Sequence, residues 1–148
     1  MRKKILLPTD GSDFSRNAMG QAMAFAKALK AKIIGLHVVP AFHMPRDEGD
    51  LMPVSTMLKK RVDEEHTARA KQVLDAVEAS AKDAGVECQC MVGINDTIYE
   101  EIIGTAEKQS CDLIIMASHG HAGMTALLLG SETAKVLTHT KLPVLVLH

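Results

Sequence analysis

The chain has 148 residues, of which 47% are hydrophobic, 24% charged and 3% aromatic. This length and composition are typical of one globular domain covering residues 1–148 and unlike a disordered chain. Seventeen Lys and Arg residues against eighteen Asp and Glu residues leave a net charge of −1. That balance provides no basic field for nucleic acids or anionic membranes, so we expect neither among the partners.

The start of the chain and the three cysteines indicate the compartment. The apolar run Ile5–Leu7 stops at Pro8 and is too short for a secretion signal. No apolar stretch approaches the ~18 residues that cross a bilayer. We therefore expect a cytoplasmic protein whose Cys88, Cys90 and Cys111 are reduced. Cys88 and Cys90 alternate with polar residues, which predicts one face of a strand, with a redox or metal role as the alternative.

Short apolar runs alternate with helical patterns along the chain. Strands are predicted at residues 4–7, 32–39, 86–92, 113–117 and 144–147, helices at 13–30, 55–84, 97–108 and 131–140, and a surface loop at 40–54. This order predicts an α/β fold: one doubly wound, five-stranded parallel sheet with helices on both faces. Ligands of such sheets bind at the carboxyl ends of the strands, where the winding reverses.

The first helix should bury a stripe of apolar residues at helical spacing: Phe14, Ala18, Ala22, Phe25 and Leu29. Met19 and Met23 also share helical spacing, which favours core packing over an interaction patch. His37 lies inside an apolar strand and is expected to be a hydrogen-bonded histidine of the core or cleft.

The segment after the fourth strand is rich in glycine. Gly120 and Gly130 flank nine residues, and Gly130 precedes Ser131, a residue suited to cap the last helix. Glycines allow several N–H groups to converge, and a helix start adds free N–H donors and a positive dipole end. This combination predicts a cradle for phosphate. The alternative is a tight connection without ligand, because the motif is neither Walker A nor G-x-G-x-x-G.

The turn after the first strand, Pro8–Asp13, carries two carboxylates. Asp10 lies at the carboxyl end of this strand, where it could accept a hydrogen bond from a ribose or a base. Ser12 or Asp13 is suited to cap the first helix. The alternative, a capping turn with solvated acids, is compatible with a binding role.

These segments together resemble the universal stress protein (UspA-like) family. The resemblance rests on Pro8–Ser12, on Leu36–Val38, on Ser118-His119-Gly120 with its distant Gly130-Ser131, and on Leu142–Leu147, and it runs from residue 3 to 148. It implies the Rossmann-like fold of the adenine nucleotide alpha hydrolases, with strand order 3-2-1-4-5. The family contains members that bind ATP and members that do not.

The resemblance also implies an ATP site. In the family's pattern, Gly-x-x-Gly-x9-Gly-(Ser/Thr), the second and third glycines are Gly120 and Gly130, while Ala117 stands at the first. Glu132 stands where a small apolar residue is usual. By this resemblance adenine lies near Val38, ribose near Asp10, and the phosphates at the last helix. The implied site residues are Pro8, Thr9, Asp10, Val38, Met116, Ala117, His119, Gly120, Gly130, Ser131, Glu132 and Thr133.

No Lys or Arg lies between Ser118 and Ser131, so bound ATP would need its charge offset by backbone donors, the helix dipole and Mg²⁺ or Mn²⁺. His119 and His121 lack a nearby carboxylate or cysteine, so we expect no metal site built by the protein alone. A protonated His119 beside the phosphates would make affinity fall as the pH rises past ~6.5. Calorimetric titrations between pH 5.5 and 8 test this, and a flat profile removes His119 from that role.

The resulting hypothesis is an ATP-binding signalling or protective module with at most slow hydrolysis. The loops show no base placed for water, no arginine finger and no phosphate-binding lysine. The alternative is a dimeric stress-response interaction protein that binds no nucleotide. The resemblance also implies a homodimer through Val144–Leu147, which would cover an apolar strand that otherwise leaves an unpaired sheet edge.

Overall fold

The computed structural model describes residues 3–11, 14, 16–40, 52–118 and 131–148, and for residues 16 and 52–66 it describes the backbone alone. Within these ranges strands and helices alternate, as predicted. The elements are β1 (Lys4–Pro8), α1 (Arg16–Ala28), β2 (Lys32–Val39), α2 (Met52–Ala84), β3 (Cys88–Ile94), α3 (Ile98–Lys108), β4 (Leu113–Ala117), α4 (Ser131–His139) and β5 (Val144–Leu147).

The five strands form one parallel sheet in the order β3-β2-β1-β4-β5. The central strand β1 pairs with β2 on one side, Ile5 opposite Ile33, and with β4 on the other, Ile5 opposite Leu113. The chain winds outward from β1 to β3 and then crosses to β4. The winding therefore reverses between β1 and β4, which confirms the predicted fold and places the switch point at the carboxyl ends of these strands.

Hydrophobic cores cover both faces of the sheet. Alternate residues of β1 point to opposite faces, so Ile5 and Leu7 pack with α1 and α2 while Leu6 packs with α3 and α4. Burial on both faces explains why the central strands are continuously apolar. The residues with the largest fully buried side chains are Ile5, Leu6, Leu7, Met23, Ile33, Ile34, Leu36, Val77, Ile114, Ile115 and Val136.

The prediction for the buried face of α1 is wrong at its carboxyl end. Phe25 and Leu29 are 43% and 45% exposed, while Met23 and Ala26 are buried. The predicted step from Ala22 to Phe25 is three residues and falls about 60° short of a full helical turn, whereas the buried face continues from Ala22 to Met23 and Ala26. Met23 confirms the expectation of core packing.

The end of α2 explains a shift in the third strand. Gly85 has a φ of +71°, and the N–H of Val86 donates to the carbonyl of Ala81 at 2.8 Å. Val86 thus belongs to the helix terminus, and β3 begins two residues later than predicted, at Cys88. At its other end α2 begins at Met52, three residues before the predicted start. Within the described ranges, no helix has both the length and the hydropathy needed to cross a bilayer.

Candidate functional site

The carboxyl ends of β1, β2 and β4 lie side by side because β1 pairs with both neighbours. This edge brings together nine of the residues predicted for the site: Pro8, Thr9, Asp10, Val38, Met116, Ala117, Ser131, Glu132 and Thr133. His119, Gly120 and Gly130 lie outside the described residues.

Backbone and imidazole hydrogen bonds hold the turn after β1 against β2. The N–H of the buried Thr9 donates to the carbonyl of Leu36 at 2.9 Å. The carbonyl of Thr9 lies 3.0 Å from Nδ1 of His37. A carbonyl oxygen only accepts, so Nδ1 carries the proton and donates. His37 is buried and hydrogen-bonded, as expected, and it also positions Thr9, a role that the sequence did not reveal.

Gly11 completes this turn in a conformation that other residues rarely adopt. Its φ is +93°, and its N–H donates to Oγ1 of Thr9 at 3.0 Å. A Cβ at this position would lie 2.7 Å from Cγ2 of Val73 in α2. The turn therefore requires glycine both for its backbone angle and for the close approach of α2.

The first turn of α4 is tied to the end of β4. Oγ1 of the buried Thr133 donates to the carbonyl of Ala117 at 2.9 Å. The next N–H along the chain, that of Ser118, donates to the carbonyl of Leu147 in β5 at 2.8 Å. The start of α4 is thus held at the carboxyl edge of the sheet, beside the switch point.

The start of α4 has the character of an anion site. Ser131 is the first helical residue rather than the cap before the helix, a difference of one position. The N–H groups of a first helical turn have no partner within the helix, and they lie at the positive end of its dipole. These features favour a negatively charged group at this edge.

Glu132 places a carboxylate in this first turn. Its Oε1 lies 3.5 Å from Nζ of Lys135, one turn along α4. Its Oε2 is buried and finds no hydrogen-bond partner among the described residues. The carboxylate is therefore partly neutralised by Lys135 and keeps one acceptor open. In the described part of the chain, no three His, Cys, Asp or Glu residues are grouped so that they could hold a metal ion.

The other side of the edge is bordered by β3. Gly93 pairs with Val38, and a Cβ on Gly93 would lie 2.6 Å from Cγ of Glu101 in α3. The Oε2 of Glu101 accepts a hydrogen bond from Nδ2 of Asn95 at 3.3 Å. Glu101 therefore covers the strand next to Val38, and the glycine within β3 was the one sequence signal of this close approach.

Aromatic contacts join α4 to α3. The rings of Tyr99 and His139 have centroids 4.8 Å apart. Nζ of Lys135 lies 5.8 Å from the centroid of Tyr99. The orientation of α4 is thus set at both ends, by Thr133 on β4 and by Tyr99 on α3.

Known proteins are similar to this chain in sequence and in fold. The model of the Universal stress protein family matches residues 1–148. Universal stress protein MJ0577 of Methanocaldococcus jannaschii is 35% identical over 155 residues, covering 99% of this chain and 94% of its own. Universal stress protein MJ0531 of the same organism is 33% identical over 147 residues, covering 97% of this chain and 81% of its own.

Solved structures agree with this result. The MJ0577 structure superposes with a TM-score of 0.74 at 30% identity, covering 99% of this chain and 96% of that one. The universal stress protein of Archaeoglobus fulgidus in complex with dAMP shares the fold, with a TM-score of 0.70 at 15% identity and coverage of 99% and 98%. The parallel sheet, the whole-length family match and the identity to MJ0577 lead to one conclusion: this chain belongs to the universal stress protein family.

Proposed function

We propose that the chain is a cytoplasmic signalling or protective module that binds an adenine nucleotide, ATP first, at the carboxyl edge of the sheet. Adenine lies near Val38, ribose near Asp10, and the phosphates at the start of α4. The main support is the hydrogen bond from Thr133 to Ala117, which holds the first-turn N–H groups of α4 at this edge. The Archaeoglobus fulgidus protein of the same fold was solved with dAMP, which agrees with an adenylate ligand.

The residues present fit a nucleotide that arrives with its own Mg²⁺ or Mn²⁺. The open Oε2 of Glu132 is the type of oxygen ligand that these cations accept. The cation would offset the repulsion between the phosphates and this carboxylate. The protein's part is to orient the phosphates through the N–H groups of α4 and to supply Glu132.

We expect hydrolysis to be slow, because positioning alone does not complete a phosphoryl-transfer site. The segment 118–131 contains no lysine or arginine to stabilise charge on the transferred group. Phosphate release from ATP, measured with purified protein and Mg²⁺, should be slower than exchange of the bound nucleotide. Release faster than exchange would contradict this assignment.

The binding proposal is tested first by identifying any nucleotide that denatured, freshly purified protein releases. Calorimetry then compares ATP with adenosine in two site variants and one control. Asp10→Asn should weaken both ligands, because it alters the ribose contact. Gly130→Val should weaken ATP and leave adenosine unchanged, because it alters the phosphate cradle. Gly20→Ala, on the open surface of α1, should change neither.

Two outcomes would contradict the proposal. Equal losses of ATP and adenosine in Gly130→Val would mean that this glycine supports the fold rather than the phosphates. No released nucleotide and no heat at millimolar ATP would favour the alternative, a dimeric stress-response interaction protein without nucleotide. The carboxylate of Glu132 in the first turn of α4 is the observation that favours this alternative.

Glu132 gives a graded test of the same site. Glu132→Gln removes one negative charge near the phosphates and keeps the shape of the side chain. Removing the repulsion between this charge and the phosphates is worth about 1 kcal/mol at the dielectric of a partly exposed site, so ATP affinity should rise roughly fivefold. The gain should shrink as salt rises. This gain is expected without Mg²⁺. With Mg²⁺ present it should be lost or reversed, because Glu132 then supplies a ligand to the cation, and an equal gain with and without Mg²⁺ would contradict that role.

We also propose a homodimer through β5. This strand forms one edge of the described sheet, and Val144, Leu145 and Val146 are only half-buried. Unpaired apolar edges are aggregation-prone unless covered. Light scattering at micromolar concentration should give the mass of a dimer, and Val146→Lys should give that of a monomer. A sharp monomer mass for the unaltered protein would contradict this proposal.

A further inference from the structure

Two thiols lie next to each other on β3, away from the nucleotide edge. Sγ of Cys88 and Sγ of Cys90 are 3.8 Å apart on the face of the strand that α2 covers. Both side chains are only partly buried. Alternation along β3 explains this pairing, because residues two apart share a face. The predicted strand face is confirmed, and the two sulfurs are almost in van der Waals contact.

The space around Cys90 is provided by a glycine on the neighbouring strand. Gly35 of β2 pairs with Cys90, and a Cβ there would lie 3.0 Å from the Cys90 sulfur. The Cys90 sulfur also lies 3.7 Å from the carbonyl of Leu74 in α2. The thiol of Cys90 thus has two acceptors in reach, the Leu74 carbonyl and the Cys88 sulfur.

The two thiols differ in acidity. The hydrogen bond from Cys90 is the largest influence on the Cys88 thiol and lowers its pKa. The Gly35 backbone and Lys32 also lower this pKa, while burial and the charge of Glu78 raise it. The same hydrogen bond raises the pKa of Cys90, as do burial, the charge of Cys88 and the carboxylate of Glu78. Cys88 is therefore the more acidic thiol of the pair and the more readily formed thiolate nucleophile, and Cys90 holds its proton more tightly.

From this geometry we infer that Cys88 and Cys90 form a reversible dithiol–disulfide pair that reacts with hydroperoxides. In the first step the Cys88 thiolate attacks one oxygen of the peroxide. The O–O bond breaks, an S–O bond forms, and the departing hydroxide takes a proton to become water. Cys88 is then a neutral sulfenic acid.

The second step closes the disulfide. Once Cys88 has lost its negative charge, the hydrogen bond to its thiolate, which is the largest cause of the raised pKa of Cys90, is gone, and so is the charge of Cys88. The Cys90 thiol releases its proton, its sulfur attacks that of Cys88, and the S–O bond breaks. The leaving hydroxide takes that proton as a second water. In sum, two thiols lose two electrons and two protons to one hydrogen peroxide.

The position of the pair in β3 makes this disulfide reversible. Residues two apart in a strand have Cα atoms separated by about 6.6–6.8 Å, which is the upper limit that a disulfide spans. Closing the bond must shorten β3. Among the strands that the structure describes, β3 is at the edge of the sheet and pairs with β2 alone, so it can bend with the loss of one set of hydrogen bonds. Strained disulfides of this kind are readily reduced.

Mass spectrometry tests the inference on the full chain. Trypsin releases both thiols in one peptide, residues 83–108, and Cys111 in the next, residues 109–135. After brief treatment with equimolar hydrogen peroxide, the 83–108 peptide should lose two hydrogens, and dithiothreitol should restore them. Cys111 should still be alkylated by iodoacetamide after denaturation. Unchanged thiols in 83–108, or oxidation only at Cys111, would overturn the inference.

Three serine variants assign the roles. Cys90→Ser should stop at the sulfenic acid of Cys88, which dimedone labels. Cys88→Ser should form no disulfide in the 83–108 peptide, because the sulfur that Cys90 attacks is absent. Cys111→Ser is the matched control and should form the disulfide as the unaltered protein does. Circular dichroism confirms that each variant is folded. Dimedone present while the unaltered protein is oxidised should label Cys88, and label at Cys90 instead would overturn the assigned order.

Discussion

Substituting Gly11 tests the geometry of the turn after β1 most directly. Gly11→Ala forces an L-residue into a φ of +93° and brings its Cβ to 2.7 Å from Cγ2 of Val73. The backbone term is about 1–2 kcal/mol, and the overpacking against α2 adds about 1–3 kcal/mol. We expect the free energy of unfolding to fall by about 2–5 kcal/mol, out of the 5–15 kcal/mol typical of a domain.

Urea unfolding followed by circular dichroism measures this loss and separates its two terms. Gly85→Ala is the matched control, because Gly85 has a φ of +71° and no atom within 4 Å of an added Cβ. It should show the backbone term alone. In Gly11→Ala/Val73→Ala the clash is relieved, so the double variant should lose about 1–3 kcal/mol less than the two single losses combined.

The reasoning about Gly11 would be refuted by either of two results. Losses that add to within about 0.5 kcal/mol would show that Val73 does not contact the new methyl group. A loss equal to that of Gly85→Ala would show that only the backbone angle matters. The ATP affinity of Gly11→Ala, if the variant folds, should fall as well, because the turn carries Asp10.

Three further predictions concern single sites. Gly20→Ala, on an open surface of α1, should raise the unfolding free energy by about 0.5–1 kcal/mol in the same urea assay. Thr133→Val removes the hydrogen bond to Ala117 and should lower it by about 1–3 kcal/mol; no change would show that the bond is dispensable. Burial raises the pKa of the Cys111 thiol, so native protein at pH 7.5 should be alkylated there more slowly than at Cys88, as peptide mass spectrometry will show.

Most of the elements were predictable because their signals are local. The bounds of β2, β4 and β5 agree with the prediction, since each is a short apolar run that turn-forming residues delimit. The third strand begins later than predicted because Val86 belongs to the end of α2, where its N–H donates to the carbonyl of Ala81. That hydrogen bond depends on the left-handed conformation of Gly85, which a pattern of apolar residues cannot predict. The order of the strands came from the family resemblance, not from periodicity.

The sequence predicted where the candidate site lies but not the hydrogen bonds that hold it in place. Glycine spacing and the turn after β1 indicated which edge of the sheet to consider. The bonds that rigidify this edge join residues far apart in the chain, such as Thr133 to Ala117 and His37 to Thr9. A single sequence holds no record of such pairs, because each partner also satisfies an ordinary local role. The carboxylate of Glu132 was visible, but its pairing with Lys135 was not assigned.

The contact between α3 and α4 gives this protein a built-in optical reporter. Tyr99 is the single tyrosine of a chain without tryptophan, so all tyrosine emission arises from a ring that lies 4.8 Å from His139. Any movement of α4 changes the distance between these rings and hence the quenching of Tyr99. Because the same helix begins at the candidate phosphate site, ligand-induced shifts of α4 become readable as fluorescence, without a label and without altering a residue.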